Sequence, residues 1–387
     1  MTGLAKINDI CAINPSKKEG YNMHSSQLVS FVDMASVSEN GEIIKEQTKK
    51  LQDVIKGYTY FAKGDIILAK ITPCFENGKR AYANNLKNQV GFGSTEFIVL
   101  RPNEDIIPKY LFYLISRKKF REELTPLLVG TAGQKRLHKD VLGNYLIPVP
   151  SKMEQYKIIE KLDKIVKIKN LRKKQDDCFD ELIKSKFLSL FSHPTNNIFP
   201  SVNLGSVAKL SMGGTPSTKK PEYYTDGTIN WMRSGDITSD YIEKVPTKIT
   251  QVGLDNSNTK LYSIGDVVIA LNGQGKTRAT TGILNVETSS NQSVASISPK
   301  LDILLSEYLH FDLKFRYQEL RNITGDKQRS GLNLTLLRKL DIPLPPIELQ
   351  KEFSVFVRRV EVMKNKQKAS QHEIEQLFES VLDNLYS

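Results

Sequence analysis

The sequence predicts an α+β protein built by internal duplication, with two similar mixed α/β domains that alternate with two long helices. Three observations predict this fold: segments recur about 200 positions apart, short apolar runs alternate with Gly, Asn and Pro, and each copy ends in a heptad-like pattern. The predicted domains cover residues 1–150 and 193–345, and the predicted helices cover residues 151–192 and 346–387. The length agrees, because 387 residues are enough for more than two domains of about 150 residues.

Three pairs of segments carry the repeat, and they occur in the same order in both copies. The pairs are FAKGDIILAKI from Phe61 with YSIGDVVIALN from Tyr262, LGNYLIPVPSKMEQ from Leu142 with LRKLDIPLPPIELQ from Leu337, and KINDI near Lys6 with NLGSV near Asn203. One short apolar match is common by chance, but three collinear matches indicate that one unit has been duplicated.

Each globular part mixes strand and helix signals. Gly-Asp before a run of Ile and Val predicts a turn that leads into a strand, as at Gly64 and at Gly265. The segments YLFYLISRKKFREEL, from Tyr110, and EYLHFDLKFRYQEL, from Glu307, have the spacing of corresponding amphipathic helices. Each copy then closes with a strand that contains proline, IPVP or IPLPP.

The long helices carry apolar residues at alternating steps of three and four, the spacing of a coiled-coil seam. Polar residues interrupt the seam at Arg172 and Gln175, and again 195 positions later at Gln367 and Ser370. We expect the helices to pair with these polar layers meeting midway; the alternative is two separate helices, each packed on its own domain. The pattern alone is compatible with parallel and antiparallel pairing. The predicted seam residues are Ile158, Ile165, Ile168, Phe179, Leu182, Phe353, Phe356, Val360, Met363, Ile374, Leu377 and Val381.

The composition indicates a globular protein with an anionic partner. Lys and Arg number 55 against 43 Asp and Glu, and the net charge of +12 lies mainly in the two domains and the first helix. Hydrophobic residues make up 39% of the chain, which argues against global disorder. No apolar run reaches the roughly 18 residues of a membrane helix and no signal-peptide core is present, so we expect a cytoplasmic protein with no membrane partner. Three scattered cysteines, Cys11, Cys74 and Cys178, lack the spacing of zinc sites, and we expect no metal.

The segment ALNGQGKT, Ala270 to Thr277, fits a relaxed phosphate-loop pattern. A phosphate loop also needs a helix that begins at its lysine, because the helix N-terminus faces the phosphates. The residues after Lys276 are rich in Gly and β-branched residues, which disfavours a helix, and the first copy has ENGKRAYANN at the same place. A basic turn shared by both copies is therefore the favoured interpretation. Its basic residues are Lys79, Arg80, Lys276 and Arg278.

Other signals of catalysis are weak. His138 lies beside Asp140 and His310 lies near Asp312, which are the residue types of acid–base pairs. Histidines beside single charges are more often surface or capping residues. We therefore expect no catalytic residue in this chain.

Two corresponding loops carry the residue types that bind DNA. They are GTAGQKRLHK, from Gly130, with Gln134, Lys135 and Arg136, and TGDKQRSGLN, from Thr324, with Lys327, Gln328 and Arg329. Arg and Lys suit guanine edges and phosphates, and Gln suits adenine. WMRSGDI adds Arg233 next to an aromatic residue at a predicted strand end. A single basic loop is often only solvated surface, but recurrence in both copies favours contacts with nucleic acid.

The chain resembles the DNA-specificity (S) subunit of type I restriction–modification enzymes over nearly its whole length. The resemblance lies in two domains that are each followed by a repeated helix, and in the order of several strings. The strings are MGGTPSTKKPEYY from Met212, WMRSGDI from Trp231, the GDIILAK and GDVVIAL pair, GSTEFIVLRP from Gly93 and IPLPPIELQKEF from Ile342. The first domain departs from this pattern, because it has AINPSKKEG in place of GGTP and PVPSKMEQ in place of the double-proline form.

This resemblance implies two target recognition domains, each reading one half of a bipartite double-stranded DNA site, held apart by an antiparallel coiled coil. It also implies that the chain has no catalysis of its own. Methyltransferase (M) subunits, expected in two copies, would use S-adenosylmethionine to modify adenine, and restriction (R) subunits would use ATP and Mg to translocate and cleave DNA. All these cofactors are therefore expected on partner subunits.

Two other functions each fit part of the sequence. One is a nucleotide-binding enzyme that uses the Ala270–Thr277 loop, for which Lys276→Ala is expected to abolish nucleotide binding. The other is a non-specific coiled-coil scaffold protein with incidental basic loops, for which no preference among DNA sequences is expected.

The paired helices are expected to set the gap between the two half-sites. From Phe353 to Val381 the second helix spans roughly 42 Å at 1.5 Å per residue, which equals about 12 base pairs of B-DNA. Inserting four residues into both helices should therefore lengthen the preferred gap by about two base pairs. Selection of bound duplexes from a library with variable gaps measures the shift, and an unchanged gap would exclude this role for the helices.

Overall fold

The computed structural model of the protein describes residues 3–17, 24–131, 133–191, 199–273, 275–323 and 331–386. The chain divides into two compact units: unit 1 comprises Met1–Lys173 with Lys368–Ser387, and unit 2 comprises Lys174–Gln367. Both boundaries fall inside long helices, so each unit contains one globular part and one portion of each long helix. The predicted division into four segments at residues 150, 192 and 345 stays a prediction.

The globular part of unit 1 has two four-stranded sheets and a separate strand pair among its described residues. The strands are β1 Leu4–Lys6, β2 Cys11–Ile13, β3 Leu28–Val32, β4 Gln47–Lys50, β5 Thr59–Ala62, β6 Ile66–Ala69, β7 Arg80–Tyr82, β8 Val90–Gly93, β9 Phe97–Pro102 and β10 Leu146–Pro148. The helices are α1 Ile7–Ile10, α2 Leu51–Val54, α3 Pro108–Leu114, α4 Lys118–Leu124, α5 Lys139–Gly143 and α6 Lys152–Phe191, of which α6 continues into unit 2.

The sheets of unit 1 have the orders β2-β9-β6-β7 and β4-β3-β8-β5, and β1 pairs with β10. All pairs are antiparallel except β3 with β8. Strand β6 is central in its sheet and all four of its residues are buried, which explains its continuous apolar sequence Ile-Ile-Leu-Ala.

Unit 2 repeats this construction. Its strands are β11 Ser201–Asn203, β12 Ala208–Met212, β13 Ile229–Met232, β14 Tyr241–Ile242, β15 Lys248–Ile249, β16 Val267–Ala270, β17 Thr281–Leu284, β18 Ser289–Ser290, β19 Val294–Pro299 and β20 Asp341–Pro343. Its helices are α7 Leu204–Val207, α8 Gln251–Asp255, α9 Ser306–Phe315, α10 Tyr317–Asn322, α11 Leu334–Arg338 and α12 Ile347–Asp383, of which α12 continues into unit 1.

The strand orders of unit 2 match those of unit 1 for seven strands: β12-β19-β16-β17 follows β2-β9-β6-β7, and β15-β13-β18 follows β4-β3-β8, while β14 adds a fifth strand to the first sheet and β5 has no counterpart in the second among the described residues. Its sheets have the orders β12-β19-β16-β17-β14 and β15-β13-β18, and β11 pairs with β20. The central strand β16, with the sequence Val-Val-Ile-Ala, is buried throughout as β6 is. The predicted duplication of a mixed α/β domain is therefore confirmed.

In unit 1, the first half of α6 pairs with the last part of α12. Lys169 Nζ lies 3.7 Å from Glu375 Oε1, and Arg172 Nη2 donates to Ser370 Oγ at 3.3 Å. Residue numbers rise along one helix while they fall along the other, so the two segments run antiparallel.

Unit 2 contains the same arrangement, made by the second half of α6 and the first half of α12. Lys186 Nζ lies 2.6 Å from Glu352 Oε1, and Lys364 Nζ lies 2.8 Å from Asp180 Oδ1. The contacts again run in opposite directions along the two helices. The antiparallel pairing that the family resemblance implied is confirmed in each unit.

Three of the four predicted polar interruptions of the seam, Arg172, Gln367 and Ser370, lie where the helices contact each other. Arg172 reaches Ser370 in unit 1, and in unit 2 Gln367 Nε2 donates to Asp176 Oδ1 at 2.7 Å. Gln175, by contrast, is exposed. These hydrogen bonds require one relative position of the two helices, as polar seam residues commonly do.

The predicted apolar seam is wrong at four positions. Ile168, Leu182, Met363 and Leu377 are between 44% and 52% exposed, whereas Ile183, Phe378 and Leu382 are buried in their place. The other predicted residues are buried or half-buried: Ile158, Ile165, Phe179, Phe353, Phe356, Val360, Ile374 and Val381. The difference arises because the helices also pack on the globular parts, which broadens the buried face and turns it away from a strict heptad stripe.

Both long helices contribute to the hydrophobic core of each unit. In unit 1, Leu162 of α6 and Leu382 of α12 share a cluster with Leu111 of α3. In unit 2, Phe187 of α6 lies 5.4 Å from the Phe353 ring of α12 and 5.9 Å from that of Tyr308 in α9 (centroid to centroid). The long helices therefore close the cores of the globular parts.

A buried glutamine joins α6 to the globular part of unit 1. Gln155 is fully buried, and its Oε1 accepts the Ile107 N–H at 2.8 Å. Its Nε2 donates to the carbonyls of Asp105 and Pro150, each at 2.9 Å. Three backbone groups at the start of α3 and α6 are satisfied by this one side chain.

Gln350, which lies 195 positions later, makes the same contacts in unit 2. Its Oε1 accepts the Leu305 N–H at 2.8 Å, and its Nε2 donates to the carbonyls of Ile303 at 3.0 Å and Pro345 at 2.8 Å. The glutamines that the sequence matched as ends of IPVPSKMEQ and IPLPPIELQ thus occupy one structural position in both copies.

Replacing Gln350 with leucine should destabilise unit 2. The substitution keeps the side chain's approximate size but removes partners from buried backbone groups, at a cost of about 1–3 kcal/mol for each group left unpaired. Urea unfolding measures the loss. Gln376→Leu, at an exposed position of the same helix, is the matched control and should change the free energy of unfolding by less than about 0.5 kcal/mol. Equal effects of the two variants would contradict the role of Gln350.

Candidate nucleic-acid interface

The basic turn of unit 1, residues 70–79, joins β6 to β7. Phe75 is fully buried and anchors the turn. The Gly78 N–H donates to the Phe75 carbonyl at 2.8 Å, and the Lys79 N–H donates to the Cys74 carbonyl at 2.9 Å. Gly78 has a φ of +76°, a conformation that suits glycine. The turn is therefore held by its own backbone, and its outer residues face away from the core.

The loop that contains Gln134, Lys135 and Arg136 is a short hairpin. The N–H groups of Val129 and Arg136 each donate to the other residue's carbonyl, at 3.0 and 2.8 Å. A Cβ atom on Gly130 would lie only 2.7 Å from the Gln134 carbonyl oxygen, so the close approach of the two strands requires glycine.

The hairpin and the turn are joined edge to edge. The Thr72 N–H donates to the Lys135 carbonyl at 2.9 Å, and the Leu137 N–H donates to the Lys70 carbonyl at 2.8 Å. The two basic segments that the sequence singled out separately therefore form one surface of unit 1.

The side chains on this surface differ in their availability to a ligand. Gln134 and Lys135 are exposed. Arg136 is also exposed, but its Nη2 lies 2.9 Å from Glu96 Oε1 and its Nε lies 3.0 Å from Oε2. Hydrogen bonding to Arg136 lowers the pKa of Glu96, so the pair is ionised at neutral pH. A phosphate that binds Arg136 would have to compete with this carboxylate.

Arg80 is a correction to the sequence prediction. Only 8% of it is exposed, and its guanidinium donates to Ser116 Oγ and the Gly78 carbonyl, both at 2.7 Å. Burial lowers the pKa of Arg80 to about 9. Its guanidinium packs on the end of α3 and cannot reach a base edge. Lys79 is half-buried, and its ammonium donates to the Met34 carbonyl at 3.1 Å.

The equivalent turn of unit 2 is held from behind by α10. The Tyr317 hydroxyl donates to the Lys276 carbonyl at 2.6 Å. Arg321 Nη1 donates to the Arg278 carbonyl at 3.2 Å, and Arg278 Nη2 donates to the Arg321 carbonyl at 3.1 Å. These bonds leave the Lys276 side chain exposed and the Arg278 side chain half-buried.

This turn differs from a phosphate loop. Between residues 275 and 284, which the structure describes, the chain makes a turn and then enters β17, and no helix begins at Lys276. The donors of a helix N-terminus, which would face a bound phosphate, are absent from that segment. Its carbonyls accept side-chain hydrogen bonds instead, so the geometry does not support the alternative of a nucleotide-binding loop.

Arg233 lies at the end of β13, over an aromatic ring. Its guanidinium carbon is 5.9 Å from the centroid of Trp231, and its Nη2 donates to Thr247 Oγ1 at 3.1 Å. Trp231 is itself buried and donates from Nε1 to the Gly214 carbonyl at 3.0 Å. A Cβ atom on Gly214 would lie 2.7 Å from the Thr259 backbone nitrogen, so this glycine of MGGTP serves close packing. Arg233 remains exposed on this support.

Backbone hydrogen bonds connect Arg233 to the basic turn of unit 2. The Asn291 N–H donates to the Met232 carbonyl at 3.0 Å, and the Leu271 N–H donates to the Ser293 carbonyl at 2.8 Å. The Leu332 N–H donates to the Leu271 carbonyl at 3.0 Å, as Leu137 does to Lys70 in unit 1. One edge therefore carries Arg233, residues 291–293 and the basic turn. The predicted contacts Lys327, Gln328 and Arg329 lie outside the described residues.

The sequence prediction missed the arginines behind the turns. In unit 1, the Arg121 side chain would lie 3.3 Å from a Cβ atom on Gly78, and in unit 2 Arg321 Nη2 donates to the Gly275 carbonyl at 2.8 Å. Phe120-Arg121 and Leu320-Arg321 occur 200 positions apart, at matched places in the two amphipathic segments. This repeat was the sequence signal that could have identified the two arginines.

The two histidines that the sequence placed near aspartates have different surroundings. His138 and Asp140 are an exposed pair with 3.1 Å between Nδ1 and Oδ2. His310 is fully buried, its Nε2 lies 3.0 Å from Asp240 Oδ1, and burial lowers its pKa. Asp312 instead pairs with Arg316 at 3.2 Å.

Two other features are absent from the described residues. No group of three or more His, Cys, Asp or Glu side chains there could hold a metal ion. No helix in the same ranges is both long and apolar enough to cross a membrane.

Comparison with known proteins identifies type I restriction enzyme specificity subunits among the relatives of this chain. The EcoAI type I restriction enzyme specificity subunit of Escherichia coli is 38% identical over 170 residues, which are 43% of this chain and 27% of that protein. The EcoEI specificity subunit of Escherichia coli is 38% identical over 162 residues, or 41% of this chain and 27% of that protein. The chain thus matches only about a quarter of the length of these relatives.

A solved structure has the same fold across almost the entire chain. It comes from work on complex assembly and conformational transition of the type I R-M system, with a TM-score of 0.63 and 22% identity. The similarity covers 99% of this chain and 97% of that chain. The family model described as "Type I restriction modification DNA specificity domain" matches twice, at residues 4–177 and 199–376. The chain therefore belongs to the type I restriction modification DNA specificity domain family, as its sequence motifs indicated.

Proposed function

We propose that this chain is the non-catalytic, sequence-specific DNA-binding subunit of a type I restriction–modification complex. Each globular domain reads one half of a bipartite double-stranded site. The observation that carries the proposal is the recurrence of one edge in both units, where a basic turn after the central strand adjoins a second polar segment. In unit 1 this edge presents Gln134 and Lys135, and in unit 2 it presents Arg233 and Lys276.

The chemistry of these side chains supports DNA as the ligand. Lys and Arg bind phosphates and guanine edges, while the amide of Gln134 matches the donor and acceptor pattern of adenine. The supporting backbone is hydrogen-bonded on both edges, because hairpin bonds hold Gln134 and α10 holds the turn that carries Lys276. Such a support removes the cost of ordering the backbone on binding, so that only the side chains lose conformational freedom.

Exposed apolar residues on the long helices support docking of two methyltransferase subunits. In unit 1 these residues are Ile168 and Leu377, and in unit 2 they are Met363 and Leu182. The two pairs are related by the 195-residue repeat, since Ile168 matches Met363 and Leu182 matches Leu377. Two equivalent apolar patches suit two copies of one partner.

The remaining activities of the complex are assigned to its partners. Methyltransferase subunits supply S-adenosylmethionine for methylation of adenine, and restriction subunits supply ATP and Mg for translocation and cleavage. Within this chain, the basic turns and the helices serve recognition and assembly.

Substitutions on one edge should change the preference at one half-site only. Combined Gln134→Ala and Lys135→Ala should weaken discrimination about tenfold at the half-site read by unit 1, because a base contact contributes about 1–3 kcal/mol. Arg233→Ala with Lys276→Ala should do the same at the other half-site. Selection of binding sites from randomised duplexes, using the full chain, measures both preferences.

Lys366→Ala, at an exposed position of α12, is the control for loss of positive charge. It should leave both half-site preferences unchanged. If the edge variants weaken binding equally for every sequence, their side chains contact only phosphates and the assignment of base recognition to these residues fails.

A further inference from the structure

The repeated contacts establish which residues of the two units correspond. The Tyr110 hydroxyl donates to the Pro148 carbonyl at 3.1 Å, and the Tyr308 hydroxyl donates to the Pro343 carbonyl at 2.8 Å. Helices α3 and α9 therefore match with an offset of 198 residues, and the long helices match with an offset of 195. The same two offsets recur at the buried glutamines. Gln155 and Gln350 are 195 residues apart, and the residues whose N–H groups donate to them, Ile107 and Leu305, are 198 apart.

In unit 1, a cation on α3 meets an anion on α6. Lys109 Nζ lies 2.7 Å from Asp163 Oδ2, and the Tyr113 hydroxyl donates to Asp163 Oδ1 at 2.5 Å. Burial and this carboxylate raise the pKa of Tyr113, so its hydroxyl stays a donor. The long helix thus supplies the negative charge, and the globular domain supplies two donors.

In unit 2, the charges at the same positions are reversed. Glu307 occupies the place of Lys109, and Arg358 occupies the place of Asp163. Arg358 reaches Glu307 Oε1 with Nε at 2.7 Å and with Nη2 at 2.6 Å. Phe311, buried and without a hydroxyl, stands where Tyr113 donates in unit 1. The two units therefore differ at all three positions of this contact. The absence of a hydroxyl on Phe311 fits the arginine beside it, because an arginine has no acceptor for a tyrosine hydroxyl.

One ion pair between the two long helices kept its polarity in both units. Lys169 on α6 pairs with Glu375 on α12 in unit 1, and the matched Lys364 on α12 pairs with Asp180 on α6 in unit 2. The reversal at the contact between globular domain and helix therefore contrasts with an ion pair between the helices that did not change.

We propose that this charge reversal makes each globular domain specific for its own long helix, so that the two domains are not interchangeable. A second-unit domain placed on the first helix would set Glu307 against Asp163. A first-unit domain placed on the second helix would set Lys109 against Arg358 and leave Tyr113 without its acceptor. The proposal concerns assembly of the chain and does not depend on recognition of DNA.

The discrimination is stronger for the second-unit pair. The Arg358 side chain is 69% exposed, but the Glu307 side chain is only 8% exposed, so removing the cation would leave a buried carboxylate unpaired. Lys109 and Asp163 are 40% and 39% exposed, so solvent screens a mismatch there more effectively. Hydrogen bonding and the charge of Glu307 also raise the pKa of Arg358.

One substitution measured in two backgrounds tests the proposal in the full chain. Arg358→Asp should lower Tm in the natural chain by about 2–4 °C or more, because the loss exceeds about 1 kcal/mol. In a chain that already carries Glu307→Lys and Phe311→Tyr, the same Arg358→Asp should raise Tm, since it supplies the missing carboxylate. Asp163→Arg should likewise lower Tm in the natural chain and raise Tm in a chain that carries Lys109→Glu and Tyr113→Phe. Both shifts should be smaller than those of Arg358→Asp.

Arg359→Asp, an exposed charge change of the same size on the next residue of α12, is the control. It should shift Tm equally in both backgrounds. Equal shifts for Arg358→Asp in both backgrounds would overturn the proposal. If the single variant fails to fold, recovery of soluble folded protein in the triple variant supports the proposal, and failure of the triple variant as well overturns it.

Exchange of whole domains gives an independent test. A chain with residues 193–345 in place of residues 1–150 carries two second-unit domains, one of them facing Asp163. Asp163→Arg should raise the Tm of this chimera, although it lowers the Tm of the natural chain. A lower Tm in both chains would contradict domain-specific pairing.

Discussion

Burial of the long helices in the cores of the globular parts is the constraint on which the rest of the structure depends. Leu162 and Leu382 lie in the core of unit 1, and Phe187 and Phe353 lie in the core of unit 2. Neither helix can rotate about its axis without exposing these side chains, at roughly 1.5–3 kcal/mol each. The polar contacts at the start of each long helix restrict its orientation further, because each buried glutamine must form hydrogen bonds with three backbone groups at once. The orientation of each globular part on its helices is thereby determined.

The basic edges follow from the same construction. In both units the buried central strand, β6 or β16, ends in a turn, and a chain segment just before the closing short helix lies beside it. Buried Phe75 fixes the turn of unit 1, while Tyr317 and Arg321 fix that of unit 2. Different side chains therefore support the same backbone. The edges can vary in their outer residues without disturbing the sheet, which is the property that recognition of different sequences requires.

The sequence predicted the features that depend on periodicity and repetition, and it failed where tertiary packing decides. The duplication, the central strands and the long helices were all readable, because apolar runs and heptads are local patterns. The predicted seam was wrong at Leu182 and Leu377, which are exposed. A heptad count ignores the globular cores, in which the neighbouring residues Ile183 and Phe378 are buried. Arg80 looked like a basic tip residue but is buried against α3, which no local pattern reveals. Arg321 was overlooked because its contacts are with carbonyls far away in the chain.

Duplication creates a problem of assembly that symmetric contacts cannot solve. Gln155 and Gln350 make the same bonds, and the bridges of Lys169 and Lys364 have the same polarity, so each would accept the matched partner from the other copy. Discrimination requires positions where the copies differ while the backbone stays the same. A reversed ion pair meets this need, because Lys109 with Asp163 and Glu307 with Arg358 are each attractive, whereas both cross-combinations repel. The pairs lie on the face between helix and globular part, where each domain contacts a long helix.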